Sequence, residues 1–315
     1  MLRAIRTTIL GGYIMANVLA KYKNGNYTVI LANDGTKIRF NDLDNLTPSF
    51  AESIDCTITT KCDGGCPYCY LGCNESGKHA DLNLPFFDTL HKGQELALNG
   101  NDLSHPDLLK FLVRMKRNGV ICNITLNQKH FMKYAMSLKN LVTIGLIHGI
   151  GVSLTDSSDK GLYDQLSLIP NIVVHVIDGL TTKEDIDNMS DKGIKMLVLG
   201  YKSIGRGKEY FNKHKTEINN NIKYLRDNLK EISKHFDVVS FDNLAIEHLN
   251  VESLVKKDRW DKLYMGDEGQ YTFFIDAVNK KFAVSSLSEE QYDLMDNVDD
   301  MFKYVRRITN DQNVL

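Results

Sequence analysis

Between Ser53 and Tyr201, short apolar runs alternate with stretches of helical periodicity, the texture of serial βα units. In SIDCTITT, residues 53 to 60, Ile54, Cys56 and Ile58 alternate with Asp55, Thr57 and Thr59, as on a strand. ELALNG (95–100), VICNITLN (120–127), GIGVSLT (149–155), NIVVHVI (171–177) and IKMLVLGY (194–201) follow, giving six strands in series. The first intervening helix places Leu108, Leu109, Leu112 and Met115 on one face, with Pro106 in its first turn and Gly119 at its end. Further helices are expected near 130–140, after Thr155, and after a capping-box pair, Thr181 and Glu184. Runs this rich in Ile, Val and Leu suit strands covered on both faces. The predicted class is therefore α/β, a partial (β/α)6 TIM-like barrel.

The flanks read differently. YTVILANDGTKIRF (27–40) has two β-rich runs around Asn33, Asp34 and Gly35, and the Asp-Gly step supplies the positive φ a tight hairpin needs. After the series come a solvent-facing helix (216–236), a seventh strand at VVSF (238–241), a second hairpin at 271–286 and a final amphipathic helix at 289–307. The chain thus divides into an N-terminal extension with a hairpin (1–52), the βα barrel (53–250) and a C-terminal hairpin and helix (251–315) that covers the barrel mouth. Beyond the βα alternation there is no low-complexity tract or fixed-period repeat.

At 315 residues with 43% apolar content the chain has ample core, which excludes disorder. With 38 basic and 40 acidic side chains the net charge is −2, without the footprint of a nucleic-acid or membrane binder, so the expected partner is a small molecule or a protein. No apolar run approaches a membrane span. Arg3 and Arg6 precede TTILGGYIMANVLA, but its threonines, glycines, tyrosine and asparagine break the run. Residues 1–14 are read as an extension ahead of a second start at Met15, not as a signal peptide.

The six cysteines change the picture more. Four lie in CDGGCPYCYLGC, residues 62 to 73, while Cys56 and Cys122 sit inside strands as small core residues. A secreted disulfide framework would spread them out; this clustering predicts a reducing cytoplasm and metal ligation. Cys62, Cys66 and Cys69 form CxxxCxxC, three thiolates that converge only if a cation shares them, and soft ligands leave zinc or an iron–sulfur cluster. Zinc normally pairs two knuckles, and no second knuckle follows. Two rivals to a catalytic cluster remain: a zinc-clipped binding module, and an electron-transfer protein in which Cys73 closes the cluster as a fourth ligand.

CDGGCPYC resembles the cluster motif of the radical S-adenosylmethionine enzymes, with the aromatic Tyr68 before the third cysteine. The resemblance implies that Cys62, Cys66 and Cys69 hold three irons of a [4Fe-4S] cluster and leave the fourth open. It implies that S-adenosylmethionine binds that iron and is cleaved by one electron, and that the 5′-deoxyadenosyl radical then abstracts hydrogen from a small-molecule or peptide substrate. A reducing partner such as flavodoxin or ferredoxin is implied too. The family fold, a partial barrel of six βα units, would span about residues 53 to 202, with the motif directly after the first strand, at the sheet end where such folds hold their sites.

By the same resemblance Asn99, Gly100 and Asn101 stand where the family binds the amino group of S-adenosylmethionine. Asn101 replaces the family's glutamate, so an amide oxygen would accept from the ammonium, or Asp102 would supply the charge. Ser153 and Thr155 would contact ribose, and the backbone around Tyr201 adenine. No cysteine follows Cys122, so auxiliary clusters are not expected. Several other residues have a plain structural reading: Lys78 and His79 in a solvated turn, Asp242 or Asn243 capping a helix that carries Glu247, and His175 in the core.

Overall fold

In a computed structural model the structure describes residues 17–43, 45–101 and 103–312. The expected N-terminal hairpin is the second half of a three-stranded antiparallel sheet: β1 (Val18–Asn24), β2 (Tyr27–Ala32) and β3 (Lys37–Phe40). Gly35, at φ 89°, turns the chain between β2 and β3, helped by Asp34 Oδ1 accepting from Thr36 N at 2.9 Å. The β1 strand went unread in the sequence because its residues VLAKYKN end the mildly apolar N-terminal run.

Seven parallel strands then follow in chain order, each beside the one before: β4 (Ser53–Thr57), β5 (Glu95–Asn101), β6 (Ile121–Asn127), β7 (Gly149–Ser153), β8 (Ile172–Ile177), β9 (Lys195–Leu199) and β10 (Val238–Phe241). The cysteine loop joins β4 to β5, and from β5 onward the strands are joined by α1 (Leu108–Arg117), α2 (Gln128–Thr143), α3 (Lys160–Ser167), α4 (Lys183–Met189) and α5 (Arg206–Ile232). Period-two alternation gives the strands two faces. Ile54, Cys56, Leu96, Leu98, Ile124, Leu126, Val152, Val174 and Val198 are buried in the apolar core with helix residues such as Leu112, Phe131, Leu162 and Ile186. Asp55, Ala97, Thr125, Ser153, His175 and Leu197 alternate with them and line a cavity on the opposite face.

Several expected boundaries move. The capping box is Thr182 with Asp185, one residue later, while the Thr181 hydroxyl donates back to Ile177 O at 2.8 Å. The α5 helix starts well before residue 216, with a non-helical step at His214, and it is not simply solvent-facing: Ile218, Leu225, Leu229 and Ile232 are buried.

After α6 (Asn243–Leu249) and α7 (Lys257–Leu263) the expected second hairpin appears as β11 (Thr272–Asp276) and β12 (Lys281–Ala283). It joins the same sheet: β11 lies parallel to β4 on its otherwise free edge, and β13 (Tyr292–Asp293) adds beyond β12, making ten strands. Because residues 292–293 are strand, the last helix, α8 (Val298–Gln312), begins later than expected. It buries Val298, Met301, Phe302 and Val305.

The N-terminal sheet is fastened to the parallel sheet by charge. Glu52 is fully buried; its Oε1 accepts from Arg39 Nε at 2.7 Å and from Tyr27 Oη at 2.6 Å. Lys37 Nζ lies 3.3 Å from Glu52 Oε2 and 2.8 Å from Glu95 Oε2, and the Arg39 guanidinium stacks 3.7 Å from the Tyr271 ring centre. Among the described residues no helix is long and apolar enough to cross a membrane.

Candidate functional site

The cysteine loop leaves β4 and is closed at its neck by two bridges, Thr59 to His79 and Lys61 to Asn74. Lys78 and His79 belong to this neck: Lys78 N donates to Thr60 Oγ1 at 3.0 Å, and His79 Nδ1 lies 2.9 Å from Thr59 Oγ1. Inside the neck Cys62 N donates to Asn74 O at 2.9 Å, and Gly65, at φ 66°, reverses the chain so that Cys62 and Cys66 face the same way. A side chain on Gly64 would begin 3.2 Å from Cys62 Sγ and 3.8 Å from Cys66 Sγ, so the missing Cβ keeps open the space both sulfurs border.

Cys62, Cys66, Cys69 and Cys73 all line a cavity of about 250 Å³ on the inner face of the parallel sheet. A hydrogen bond from the Cys73 thiol holds Cys69 down to about 6, and the same bond pushes Cys73 up. Burial, then the neighbouring Cys69, pushes Cys66 up. Among the described residues no three His, Cys, Asp or Glu side chains converge tightly enough to hold a single metal ion. A multi-iron cluster takes its thiolates at wider spacing than one ion does, and the donor set here, thiols on one loop around a glycine-lined space, fits that demand.

Two residues that sequence reasoning missed hold this loop. Asn127, at the end of β6, caps α2 by accepting from Lys129 N at 2.8 Å, and its Nδ2 lies 3.4 Å from Cys66 Sγ as donor. Arg206, opening α5, donates to Cys66 O from Nε and Nη2 at 3.2 and 3.0 Å, and to Cys73 O from Nη2 at 2.9 Å. Asn127 was legible only as a helix cap, whereas nothing local marks Arg206.

Of the other sequence-predicted residues, Tyr68, Asn99, Ser153, Thr155 and Tyr201 line the same cavity. The Tyr68 ring packs edge-on against Tyr210, centroids 5.8 Å apart, and burial raises its hydroxyl. Thr155 is tied to α2, its N donating to Gln128 Oε1 at 2.9 Å. Tyr201 is engaged structurally, its hydroxyl donating to Gly207 O and its N to Asp178 Oδ1, both at 2.8 Å. Gly100 and Asn101 form the end of β5, where its register with β6 slips between Leu98 and Asn101. Asp102 lies outside the described residues.

The cavity also carries charge beside the cysteine loop. Lys202 lies 4.2 Å from the Tyr70 ring centre and donates to Ser286 Oγ at 2.8 Å. Burial disfavours its ammonium, but Tyr70, Asp242, Asp55 and Glu268 outweigh this and raise it. Asp242, raised by burial, caps α6 through Ala245 N at 2.8 Å and also accepts from Gly200 N at 2.9 Å. Asn243 joins it on the lining, whereas Glu247 is exposed on α6. Glu268 is accessible from the cavity, yet the protein around it limits its hydration and raises it, and the nearby Asp55 and Asp242 add to this.

The architecture is a mixed α/β fold built on a large, mostly parallel central sheet, with its cavity over the sheet's inner face. It is similar to that of SuiB from Streptococcus suis, whose crystal structure was solved bound to S-adenosylmethionine. The TM-score is 0.53 at 10% sequence identity, and the match covers 87% of this chain and 84% of that one. No protein-family model matches the chain, and no curated protein matches it. At that identity the likeness is one of fold.

Proposed function

We propose that the protein is a radical S-adenosylmethionine enzyme, with a [4Fe-4S] cluster on Cys62, Cys66 and Cys69 and S-adenosylmethionine in the adjoining cavity. The observation that carries this reading is the common lining: the CxxxCxxC thiols and the strand-end residues Asn99, Asn127 and Ser153 border one space. The sequential parallel strands, with a cavity on one face and helices on the other, support a partial barrel. The fold likeness to a protein solved with S-adenosylmethionine agrees.

When bound, such a cluster supplies one electron to S-adenosylmethionine and so a radical able to take hydrogen from a substrate. The chain's own residues orient and shield. Arg206 and Asn127 hold the Cys66 segment against the sheet, and Asn127 adds an N–H donor beside a thiolate, which lowers the charge the sulfur must carry. Ser153 and Thr155 offer hydroxyls, and Asn99 an amide, for the cofactor's ribose and amino acid ends. The electron would come from a flavodoxin or ferredoxin in a reducing cytoplasm.

The contact between Cys73 and Cys69 favours one second reading, a four-cysteine electron carrier. Anaerobic reconstitution with iron and sulfide, then reduction with S-adenosylmethionine present, separates the two. The enzyme develops broad absorbance near about 400 nm and releases 5′-deoxyadenosine; Cys66→Ala loses both, and Cys73→Ala retains cleavage. A cluster without cleavage would identify a carrier, and stoichiometric zinc without iron would defeat both readings.

A further inference from the structure

His175 sits mid-strand on β8, paired in register with Ser153 of β7 and Leu197 of β9, and only 5% of it is exposed. It lines the cavity, yet among the described residues neither Nδ1 nor Nε2 has a hydrogen-bond partner. Its ring lies over Gly151, where an added Cβ would fall 2.2 Å from Cε1 and 2.5 Å from Nε2. The missing side chain is what admits the ring. Burial lowers His175 to about 4, so near neutrality it offers one N–H and one bare nitrogen, and buried polar groups of this kind are normally satisfied.

The same cavity carries Asp55, Asp242 and Glu268 around Lys202. Asp242 is occupied by two backbone N–H groups, and Lys202 balances one charge of the remaining pair. Asp55 and Glu268 are solvent-accessible within the cavity. Asp55 pairs in register with Ala97, one layer deeper in the sheet than Thr57 beside Asn99, so this negative charge lies below the strand ends next to the cysteine loop. A cation entering the cavity meets this charge.

Resting on the reading above, we propose that the substrate carries an ammonium or guanidinium group, received by Asp55 and Glu268 while His175 hydrogen-bonds a polar group of the same molecule. The inner face thus selects positively charged substrates.

The test is calorimetric titration of the full-length protein, with and without S-adenosylmethionine, using agmatine, N-acetyl-L-argininamide and glutarate as probes. Saturable binding of either cation at a Kd of about 1 mM or tighter, with glutarate at least tenfold weaker, is expected. Agmatine alone binding identifies a free amine; the argininamide binding identifies a residue within a peptide. Asp55→Asn and Glu268→Gln each weaken the cation about tenfold, and His175→Phe weakens the argininamide, whose amides can meet the ring. Failure of both cations to bind, equal binding of glutarate, or carboxamide variants that weaken S-adenosylmethionine more than the cation would each overturn the proposal. Because binding needs no cluster, failure of S-adenosylmethionine cleavage would count against the enzyme reading alone.

Discussion

Glu52→Gln isolates the junction between the two sheets. In the native protein Lys37 and Arg39 face Glu52 and Glu95, four charges that sum to zero, with side-chain exposures of 7%, 10%, 0% and 4%. The amide keeps an acceptor for Tyr27 and Arg39 but removes the negative charge 3.3 Å from Lys37 Nζ, leaving one uncompensated buried cation. Breaking a buried pair from one side costs about 3–5 kcal/mol, against at most about 1 for a solvated surface pair. Urea unfolding midpoints at unchanged slope read the difference. Adding Lys37→Met restores neutrality, so the double variant should be more stable than the summed single losses predict. The sign with pH follows. Burial would raise Glu52, but Lys37 and Arg39 outweigh it and hold the carboxyl below its ordinary value. Its contribution is therefore present above the ordinary carboxylate range and lost as pH falls through the lowered value. A loss under about 1 kcal/mol in Glu52→Gln, or strict additivity in the cycle, would refute a desolvated network.

Three other outcomes are expected. Asn127→Asp retains the α2 cap but replaces the donor to Cys66 with a negative charge, so the reconstituted protein should lose iron to a chelator several-fold faster while its unfolding midpoint stays within about 1 kcal/mol of the original; Asn127→Ala should lose about 1 kcal/mol as well. Gly151→Ala drives a methyl into the His175 ring and should destabilise by about 1–3 kcal/mol, whereas Gly151→Ala combined with His175→Ala recovers much of that loss. His248 Nδ1 lies 2.7 Å from the buried Asp178 Oδ2, which raises the imidazole, so its contribution is full below pH 6.5 and falls as pH rises through the raised value. The stability profile of His248→Gln should lack that fall above the ordinary histidine range.

The series of strands was legible because period-two alternation and runs of Ile, Val and Leu are properties of neighbours in sequence, as at Ile54, Cys56 and Leu96, Leu98. Cys62, Cys66 and Cys69 were legible for the same reason: their spacing lies within one loop. Edges were less so. The hairpin near residue 271 could be read, but its attachment to β4 could not, because a strand's partner is chosen by a free edge more than two hundred residues away.

The remaining site residues depend on convergence. Asp55, Lys202 and Glu268 are unremarkable polar positions in the sequence, and they become one electrostatic group only when β4, the segment after β9 and the segment before β11 border the same cavity. His175 shows the limit most plainly. Within NIVVHVI it reads as a core residue, and it is buried; its two nitrogens, unpartnered among the described residues, appear only once Gly151 on the neighbouring strand makes room for the ring and the cavity opens in front of it. The sequence by itself determined the strands and the thiol loop, since both are written in local spacing. Which polar groups share the space around that loop was decided by the tertiary structure, because burial and Coulomb interaction depend on distance in space and not along the chain.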